Sequence, residues 1–568
     1  MGVKHFYIWF QKNYSNCINK ETDTYKNKNI NNLCLDLNGI IHTCAQKIYE
    51  YGNSKKVRFL KKQIKPKNTL NRQIKLFSLI CEEIENLRKL ILPQNRIIIC
   101  TDGVAGIAKL AQQRQRRFKS AKELEESGIE KDDFNPNCIT AGTKFMDFLS
   151  KYIDWYCRMM ISHNPDWKNL EIIISNEKVI GEGEHKIINF IRKYSKECES
   201  FCIHGLDADL IMLSMSLENS NIFVLRENQY PPETHLVDIF KFKESLKSRL
   251  KWEVDENTKS FRSPQAITDF VFLCFLVGND FLPNIPGLAI LEGGIENMLD
   301  IYKDVCSSYG HLTRNTKKIG NMLNLESLVV YINTLSTFEK GLLEEKMMKK
   351  ESFMEDKLLN KYISYEYNKV KIDMEGYKKE YYEKKLQGQD NIKQNCLEYL
   401  DGMNWVINYY KKGIPSWDWY YPNFYAPFLS DICKYVKNYK YIEKTGEPLT
   451  NLEQMMCVLP KMSHNLLPKP YNRLLYNSLK DFYPEDFIID CSGKRREWEG
   501  IVLIKMVDVN IIRDFYNKYK DLLSEIDERR NKRGQTYKFN YDKEYKFIFK
   551  SFYGDIQECC INKQFIDL

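Results

Sequence analysis

The sequence contains no apolar run of about 18 residues, the length that a helix needs to cross a bilayer. Its first residues, MGVKHF, lack the apolar stretch of a secretory signal peptide. Phe6 also stands where a myristoylation signal requires Ser or Thr. These absences predict an intracellular protein of the cytoplasm or nucleus that has no membrane partner.

Paired cysteine motifs are also missing. The 17 cysteines form neither a CxxC repeat nor a Cys/His ladder, so neither a zinc ribbon nor a secreted disulfide framework is supported. A reducing compartment is therefore expected. No period of 20 to 50 residues recurs along the chain, and this excludes a solenoid of stacked repeats.

Length and composition predict a folded protein with more than one domain. The chain has 568 residues, of which 43% are apolar. Its 85 basic and 76 acidic residues give a formal net charge of +9. This small excess is consistent with a polyanionic partner and also with an ordinary solvated surface, so the positions of the charges decide between the two.

Two pairs of carboxylates follow two predicted strands. Glu182 and Glu184 come after the apolar segment LEIIISN, and Asp207 and Asp209 come after FCIHG. Ligands of open α/β sheets bind outside the carboxyl ends of the strands. Four neighbouring carboxylates repel one another unless a cation lies among them, and oxygen ligands suit Mg²⁺ or Mn²⁺. Any one of these acids could instead be a helix cap, but two pairs after successive strands favour a metal site.

Three more acids extend this pattern. Asp36 ends a predicted strand at residues 33–37, and Asp102 follows the strand RIIIC, with a predicted helix at residues 71–90 between them. Asp280 follows the buried apolar helix in DFVFLCFLVGND. Asp-Gly is usually a turn, so Asp102 alone carries little weight. Strands that alternate with helices and end in acids predict a mostly parallel sheet with a site along one edge.

A basic segment follows Asp102 directly. If it is helical, Lys109, Gln113, Arg116 and Arg117 lie on one face. Such a face could bind a terminal phosphate while metal ions act one linkage away. The alternative is a solvated basic face, and the position next to an acidic strand end favours the phosphate site.

The remainder of the chain differs in composition. Residues 301–390 are rich in Lys and Glu and predict a long, mostly exposed helical connector. From about residue 391 the sequence becomes aromatic, with Trp405, Trp417 and Trp419 in a short span. These side chains belong either to the core or to a wall on which single-stranded bases stack, each stack being worth roughly 1–3 kcal/mol. We therefore predict three parts, at residues 1–300, 301–390 and 391–568.

Ordered motifs resemble those of the Xrn/Rat family of 5′-to-3′ exoribonucleases, which is related to the flap endonucleases. Their text here is MGVKHFYIWF, DLNGIIH, DGVAGIAKLAQQRQRRFKSAKE, NCITAGTKFM, GEGEHKIINFIR, GLDADLIML and FLVGNDFLP, and the resemblance resumes from about residue 391 to 515. It implies an α/β fold with a mostly parallel nuclease sheet of the PIN or flap-nuclease kind and a second mixed, partly helical region.

The resemblance also implies roles for particular residues. The acids Asp36, Asp102, Glu182, Glu184, Asp207, Asp209 and Asp280 would hold two Mg²⁺ or Mn²⁺ ions. Lys109, Gln113, Arg116 and Arg117 would form a pocket for a 5′-monophosphate. His42 and either Trp417 or Trp419 would stack on a base near the RNA 5′ end.

The expected activity is processive degradation of single-stranded, 5′-monophosphorylated RNA to nucleoside 5′-monophosphates by two-metal hydrolysis. A monomer that takes part in RNA turnover is expected. Two alternatives remain open. One is a flap-type, structure-specific DNA endonuclease; the other is an inactive RNA-binding homologue, which the intact acidic set disfavours.

Overall fold

The computed structural model describes residues 2–3, 5–51, 69–126, 134–218, 221–229, 232–349, 354–367, 369–472 and 479–568. The strands are β1 Ile18–Asn19, β2 Asn32–Asp36, β3 Arg96–Cys100, β4 Glu171–Ser175, β5 Phe201–His204, β6 Ile222–Gln229, β7 Pro232–Asp238, β8 Ile363–Glu366, β9 Lys369–Ile372, β10 Ile489–Asp490, β11 Ile501–Val502, β12 Thr536–Phe549 and β13 Ile556–Ile566.

The α-helices are α1 Phe6–Asn13, α2 Leu37–Tyr49, α3 Thr69–Ile91, α4 Ile107–Glu126, α5 Lys144–His163, α6 Gly183–Tyr194, α7 Asp209–Met215, α8 Ile239–Leu250, α9 Ser263–Leu273, α10 Gly294–Tyr309, α11 Leu325–Ser336, α12 Glu339–Met348, α13 Lys357–Asn360, α14 Met374–Lys385, α15 Ile392–Lys412, α16 Leu429–Tyr435, α17 Asn451–Val458, α18 Lys469–Asn472, α19 Val509–Tyr519 and α20 Glu525–Asn531. Within the described ranges, no helix is both long enough and apolar enough to span a bilayer.

A nine-stranded sheet organises the molecule, in the order β1-β7-β6-β5-β2-β3-β4-β12-β13. The five central strands from β6 to β4 run parallel to one another, whereas the strands at both edges pair in antiparallel fashion. The central strands read as continuous apolar runs because helices cover both faces of a parallel sheet. The predicted α/β class with a mostly parallel core is thus confirmed.

The register of the central strands places their carboxyl ends at one edge. Asp36 lies beside Cys100, and Cys100 lies beside Ser175, while Leu35 pairs with His204. The loops that follow these four strands therefore begin side by side. Asp36 is the last residue of β2, and the other strand-end acids identified in the sequence belong to these loops or to the helices that begin there.

The charged segment between residues 301 and 390 differs from its prediction. Its described part contains the helices α11 to α14 and the hairpin β8–β9 rather than one long exposed helix. The tyrosines Tyr331, Tyr377 and Tyr382 are buried and provide the segment with an apolar interior. Most of the Lys and Glu residues of this segment belong to the solvent-facing sides of these helices. The division at residues 300 and 390 stays a prediction.

The C-terminal region packs directly on helix α4. Arg114 is fully buried in this interface, and its guanidinium donates hydrogen bonds to the backbone carbonyls of Cys457 at 2.9 Å, Lys505 at 3.0 Å and Phe482. Lys119 and Lys122 on the same helix contact the carbonyl of Glu497 and the side chain of Asp486. Part of the basic segment therefore joins two regions of the protein and does not face a ligand.

Replacing Arg114 by Met should weaken this interface strongly. The variant leaves the buried carbonyl of Cys457 without its donor, which costs about 1–3 kcal/mol, and also removes the partly buried hydrogen bonds to Lys505 and Phe482. We expect the C-terminal region to become sensitive to limited proteolysis at temperatures where the wild type resists it. Lys122→Ala is the matched control, because the Lys122–Asp486 pair is largely exposed and should contribute little. Equal resistance of both variants would contradict the structural role of Arg114.

Candidate catalytic site

The loops after β2, β3 and β4 meet at Gly183. Its backbone N–H donates a 2.8 Å hydrogen bond to Oδ1 of Asp102. A Cβ at Gly183 would lie 2.6 Å from Oδ1 of Asp36 and 3.5 Å from Oδ1 of Asp102. Only glycine therefore allows α6 to begin this close to both aspartates. Because Glu182 and Glu184 flank this glycine, four of the predicted acids come together here.

The cap interpretation is wrong for Glu182, and Asp36 does not act as a cap either. Asp36 and Glu182 occupy the N-cap positions of α2 and α6, but neither side chain makes a capping hydrogen bond. Glu182 instead accepts a 2.6 Å hydrogen bond from the hydroxyl of Tyr409 and pairs with the Lys109 ammonium at 2.6 Å. Its carboxylate is thus directed into the acidic cluster.

Asp209 and Asp280 form the other side of the cluster. The backbone N–H of Val3 donates to Oδ1 of Asp209 at 2.8 Å, and that of Gly2 donates to Oδ1 of Asp280 at 3.1 Å. Lys109 bridges the two sides, because its Nζ lies 2.9 Å from Oδ2 of Asp280 as well as 2.6 Å from Glu182. The charge of Asp207 acts on Asp36, Glu184 and Asp209, so all seven acids belong to one electrostatic unit.

The cluster holds more negative charge than Lys109 can neutralise. Burial, followed by the repulsion of neighbouring carboxylates, raises the pKa of Asp36 well above its usual value. Burial likewise raises the pKa of Glu184, and burial with the charge of Asp280 raises the pKa of Asp209 to about 7. Burial opposes ionisation of Asp280 too, but positive charge led by Lys109 lowers its pKa to about 2. Added positive charge would relieve this repulsion.

The donor set fits a hard divalent cation. Oδ1 of Asp36 and Oε2 of Glu184 are buried and have no hydrogen-bond partner in the described part of the chain. Oxygen-only donors are the ligands that Mg²⁺ and Mn²⁺ prefer. Among the described residues, however, no three His, Cys, Asp or Glu side chains are already spaced to hold one ion. Lys109 and the N–H groups of Gly2 and Val3 contact three of the carboxylates instead.

A small pocket, open to solvent, adjoins this cluster. It is lined by Asn38, His42, Asp102, Gly103, Gln113, Arg116, Arg117, Ile139, Thr140, Ala141, Met146 and Gln454. Asn38 connects it to the acids, because its Nδ2 donates to Oδ2 of Asp102 at 2.6 Å and its Oδ1 accepts the N–H of Asp102 at 3.1 Å. Three of the four residues predicted to bind phosphate line the pocket; Lys109 does not, and lies among the carboxylates.

The described part of the pocket wall presents one unpartnered arginine donor and a neutral ring. Arg117 is 8% exposed; it donates to the hydroxyl of Thr140, but its Nε has no partner within the described ranges. Burial and the charge of Arg116 lower the Arg117 pKa to about 9, and Arg116 itself is exposed at the pocket mouth. Burial and these two arginines lower the His42 pKa to about 3, so the imidazole is uncharged at neutral pH. The pocket is suited to an anion next to a flat ring.

The two tryptophans of SWDW have different environments. Trp419 is half-buried and packs against the core, where it stacks on the buried Trp405 with ring centroids 4.9 Å apart and planes inclined by 22°. Trp417 is half-buried, and its carbonyl accepts the 2.8 Å hydrogen bond of the Ile107 N–H at the start of α4. Trp417 therefore lies beside the basic helix, whereas Trp419 supports the core.

Three residues of the site, Gly2, Val3 and Lys186, lie within the motifs MGVKHFYIWF and GEGEHKIINFIR but have no role predicted from the sequence. Gly2 and Val3 lie far from Asp280 and Asp209 along the chain and act through backbone N–H groups, which leave no pattern of side chains. The buried Lys186 donates 2.8 Å hydrogen bonds to the carbonyls of Thr101 and Asn176, and burial lowers its pKa to about 8. It ties together the loops after β3 and β4. Its position on the buried face of α6 is the one available hint.

Two protein-family models match this chain. Residues 1–228 match the model for the XRN 5′-3′ exonuclease N-terminus, and residues 260–365 and 341–564 match that for the Xrn1 helical domain. The chain is 30% identical to human 5′-3′ exoribonuclease 1, covering 100% of this chain and 37% of that protein. It is 29% identical to the Drosophila melanogaster 5′-3′ exoribonuclease 2 homolog, covering 99% and 76%.

The chain is thus much shorter than the human relative that it matches. Among solved structures, the catalytic core of Rad2 in complex with a DNA substrate shares 13% identity at a TM-score of 0.31, over 62% of this chain and 83% of that chain. A likeness this low adds nothing to the description of the site.

Proposed function

Because this chain belongs to the family of XRN 5′-3′ exonucleases, we propose that it degrades single-stranded, 5′-monophosphorylated RNA processively to nucleoside 5′-monophosphates, as a monomer inside the cell. One observation carries the proposal above the others. Asp102 belongs to the acidic cluster and also lines the pocket that contains Arg117, and Asn38 in the pocket wall donates a hydrogen bond to Asp102. A group held in the pocket therefore lies next to the carboxylates. This arrangement suits a nuclease that measures one nucleotide from a terminal phosphate.

Two Mg²⁺ or Mn²⁺ ions fit the donor chemistry of the cluster. Asp36, Asp102, Glu182, Glu184, Asp207, Asp209 and Asp280 would hold them. When bound, such ions supply an activated water and neutralise charge on the phosphodiester. Lys109 pairs with Glu182 and Asp280 and supplies positive charge to the cluster. When bound cations neutralise these carboxylates, the Lys109 ammonium would be available to a phosphate of the RNA.

The pocket selects the end of the RNA. Arg117 and Gln113 are buried, and Nε of Arg117 and Oε1 of Gln113 have no partner within the described ranges. The guanidinium is a strong donor to phosphate oxygens, and Arg116 adds charge at the mouth. The uncharged His42 ring offers a flat surface for the terminal base, and Trp417 is the proposed second surface. Stacking between two rings requires a base that is not paired.

Substituting the two tryptophans should separate RNA binding from stability. Trp417→Ala should weaken binding of single-stranded RNA by the loss of one stack, worth roughly 1–3 kcal/mol, with little change in Tm. Trp419→Ala should lower Tm instead, because it removes the stacking partner of the buried Trp405; truncating this half-buried ring should cost about 0.5–3 kcal/mol. Fluorescence-anisotropy binding and thermal melts measure the two effects. The reverse result would assign the stacking role to Trp419.

Changing Gly2 to Ala should reduce hydrolysis about 100-fold, the loss that a displacement of about 1 Å in a catalytic group can cause. Gly2 has φ +55°, and an added Cβ would lie 1.7 Å from Oδ1 of Asp209, so the carboxylate has to move. Gly388→Ala is the matched control, because Gly388 has φ +99° but nothing within 4 Å of an added Cβ. Equal rates for the two variants would show that the start of the chain does not position the acids.

Product analysis tests the proposal itself. End-labelled RNA with a 5′-monophosphate and a flap DNA are incubated separately with the protein in Mg²⁺. We expect labelled mononucleotide from the RNA from the earliest time points and little cutting of the DNA. Release of an intact flap would favour the DNA endonuclease. RNA binding without any cleavage in Mg²⁺ or Mn²⁺ would favour an inactive homologue.

A further inference from the structure

One aromatic side chain near the site has no part in the mechanism given above. Trp498 lies in the short turn Glu497–Glu499, and its side chain is 59% exposed. Arg495 and Arg496 precede it, and Arg496 is also exposed. A tryptophan this exposed does not serve the core, and a neighbouring arginine adds attraction for a polyanion.

The turn is held rigidly at the start of the chain. The Trp498 ring meets the His5 ring edge-on, with centroids 6.0 Å apart. Nε2 of His5 lies 3.2 Å from Oε1 of Glu499, whose Oε2 accepts the N–H of Arg495 at 2.9 Å. Arg495 in turn pairs with Glu292, with its Nε 3.0 Å from the carboxylate. Trp498 is therefore presented on a fixed base.

Two connections place the turn Glu497–Glu499 near the acidic cluster and the basic helix α4. His5 follows Val3 by two residues, a reach of at most about 7 Å, and the Val3 N–H contacts Asp209. On its other side, the carbonyl of Glu497 accepts a 2.9 Å hydrogen bond from Lys119, one turn beyond Arg116 on α4. The turn thus extends from the basic helix to the chain start.

The positions of the pocket and of the chain start indicate the direction in which a bound RNA would run. The pocket lies at the Asp102 and Asn38 side of the cluster, whereas Gly2 and Val3 lie at the Asp280 and Asp209 side. An RNA with its 5′ phosphate in the pocket passes the carboxylates and then leaves them on the side of the chain start. Its following nucleotides reach the surface where His5 and Trp498 lie.

We propose that Trp498, with His5 and Arg496 beside it, is a stacking platform for an RNA base on the 3′ side of the bond that is cut. The platform rests on the proposed function, because the path of the RNA follows from the pocket and the acids. Base stacking on an aromatic ring tolerates every sequence, as a processive nuclease requires. The platform would hold the chain while the terminal nucleotide leaves.

Substrates of two lengths distinguish the effect of the platform from that of the catalytic site. We compare Trp498→Ala, Trp498→Phe and wild type on a 5′-phosphorylated dinucleotide and a 5′-phosphorylated RNA of about 30 nucleotides. For Trp498→Ala, KM on the long RNA should rise roughly 5-fold or more with kcat nearly constant, and kcat/KM on the dinucleotide should not change. Trp498→Phe should keep most of the affinity. Tyr367→Ala, which removes a 99% exposed ring from the tip of β8–β9, is the control.

Three outcomes would overturn the platform: equal losses on both substrates, no loss on either, or the same loss for Tyr367→Ala. Binding of the long RNA in EDTA provides a readout that needs no catalysis. There too, Trp498→Ala should bind roughly 5-fold or more weakly than wild type. If Trp498→Ala binds RNA more weakly than wild type but neither cleaves either substrate in Mg²⁺ or Mn²⁺, the proposed activity fails, whereas Trp498 remains a binding surface for RNA. Equal binding by wild type and Trp498→Ala refutes the platform whatever the activity.

Discussion

Asp209→Asn is expected to lower the rate of RNA hydrolysis by about 100- to 1,000-fold or more, the loss that removal of one electrostatic group in an active site causes. Asp209 is 3% exposed and lies in the acidic cluster opposite Asp36 and Glu184. The substitution keeps shape, and the amide oxygen of Asn can still accept the Val3 N–H. Only the negative charge is lost. Single-turnover rates in Mg²⁺ measure the effect, and near wild-type turnover would remove Asp209 from the metal site.

The same variant should be more stable than wild type when metal is absent. Burial and the Asp280 charge raise the Asp209 pKa from 3.8 to about 7, so the folded protein binds this proton more tightly than the unfolded chain. The ionised group therefore costs stability, and this cost grows as the pH rises from about 4 to 7 and then stays constant. In EDTA, the Tm advantage of Asp209→Asn should increase between pH 5 and 7. A constant difference would contradict the raised pKa.

The second large effect is expected at the 5′ end of the substrate. Wild type should degrade RNA with a 5′-monophosphate much faster than RNA with a 5′-hydroxyl, a triphosphate or a cap. Arg117→Ala should shrink the preference for monophosphate over hydroxyl about 10- to 100-fold, as expected for a lost hydrogen bond to a charged group. Its guanidinium is buried in the pocket and its Nε has no partner among the described atoms. Initial rates on the four substrates measure the preference.

Lys122→Ala is the control for Arg117→Ala. Lys122 lies on the same helix, but its ammonium pairs with the exposed Asp486, away from the pocket. The control should keep the wild-type preference for the monophosphate. Equal rates on all four RNA ends in the wild type would mean that the basic helix contacts the backbone in general and does not read a terminal phosphate.

The strand-end acids could be predicted because two local patterns determine their positions. Buried parallel strands read as short apolar runs, and the register of a parallel sheet brings their carboxyl ends together. Helical spacing likewise placed Gln113 and Arg117 on one face of α4, where both line the pocket. Helical spacing does not predict which residues of other elements a side chain contacts, however. It could not show that Lys109 turns toward Glu182 and Asp280.

Long-range contacts explain what the sequence did not reveal. Arg114 has the same charge as its neighbours on α4, but carbonyls almost 400 residues away decide its role as an interface residue. Gly2 and Val3 reach the acids through backbone groups. In the charged middle segment, Tyr331 and Tyr377 form the interior, and a prediction based on average composition gave them too little weight. Composition describes surfaces better than it describes cores.

A time course on one designed RNA tests the proposed reaction most directly. The substrate carries a 5′-monophosphate on a single-stranded lead that runs into a stable hairpin. In the proposed mechanism, a base stacked between His42 and Trp417 has to be unpaired, so each step into the stem would require one pair to open. The expected result is mononucleotide from the first time point, with a pause where the stem begins. A single internal cut at the junction that releases the lead intact would contradict the exonuclease and indicate a flap-type endonuclease.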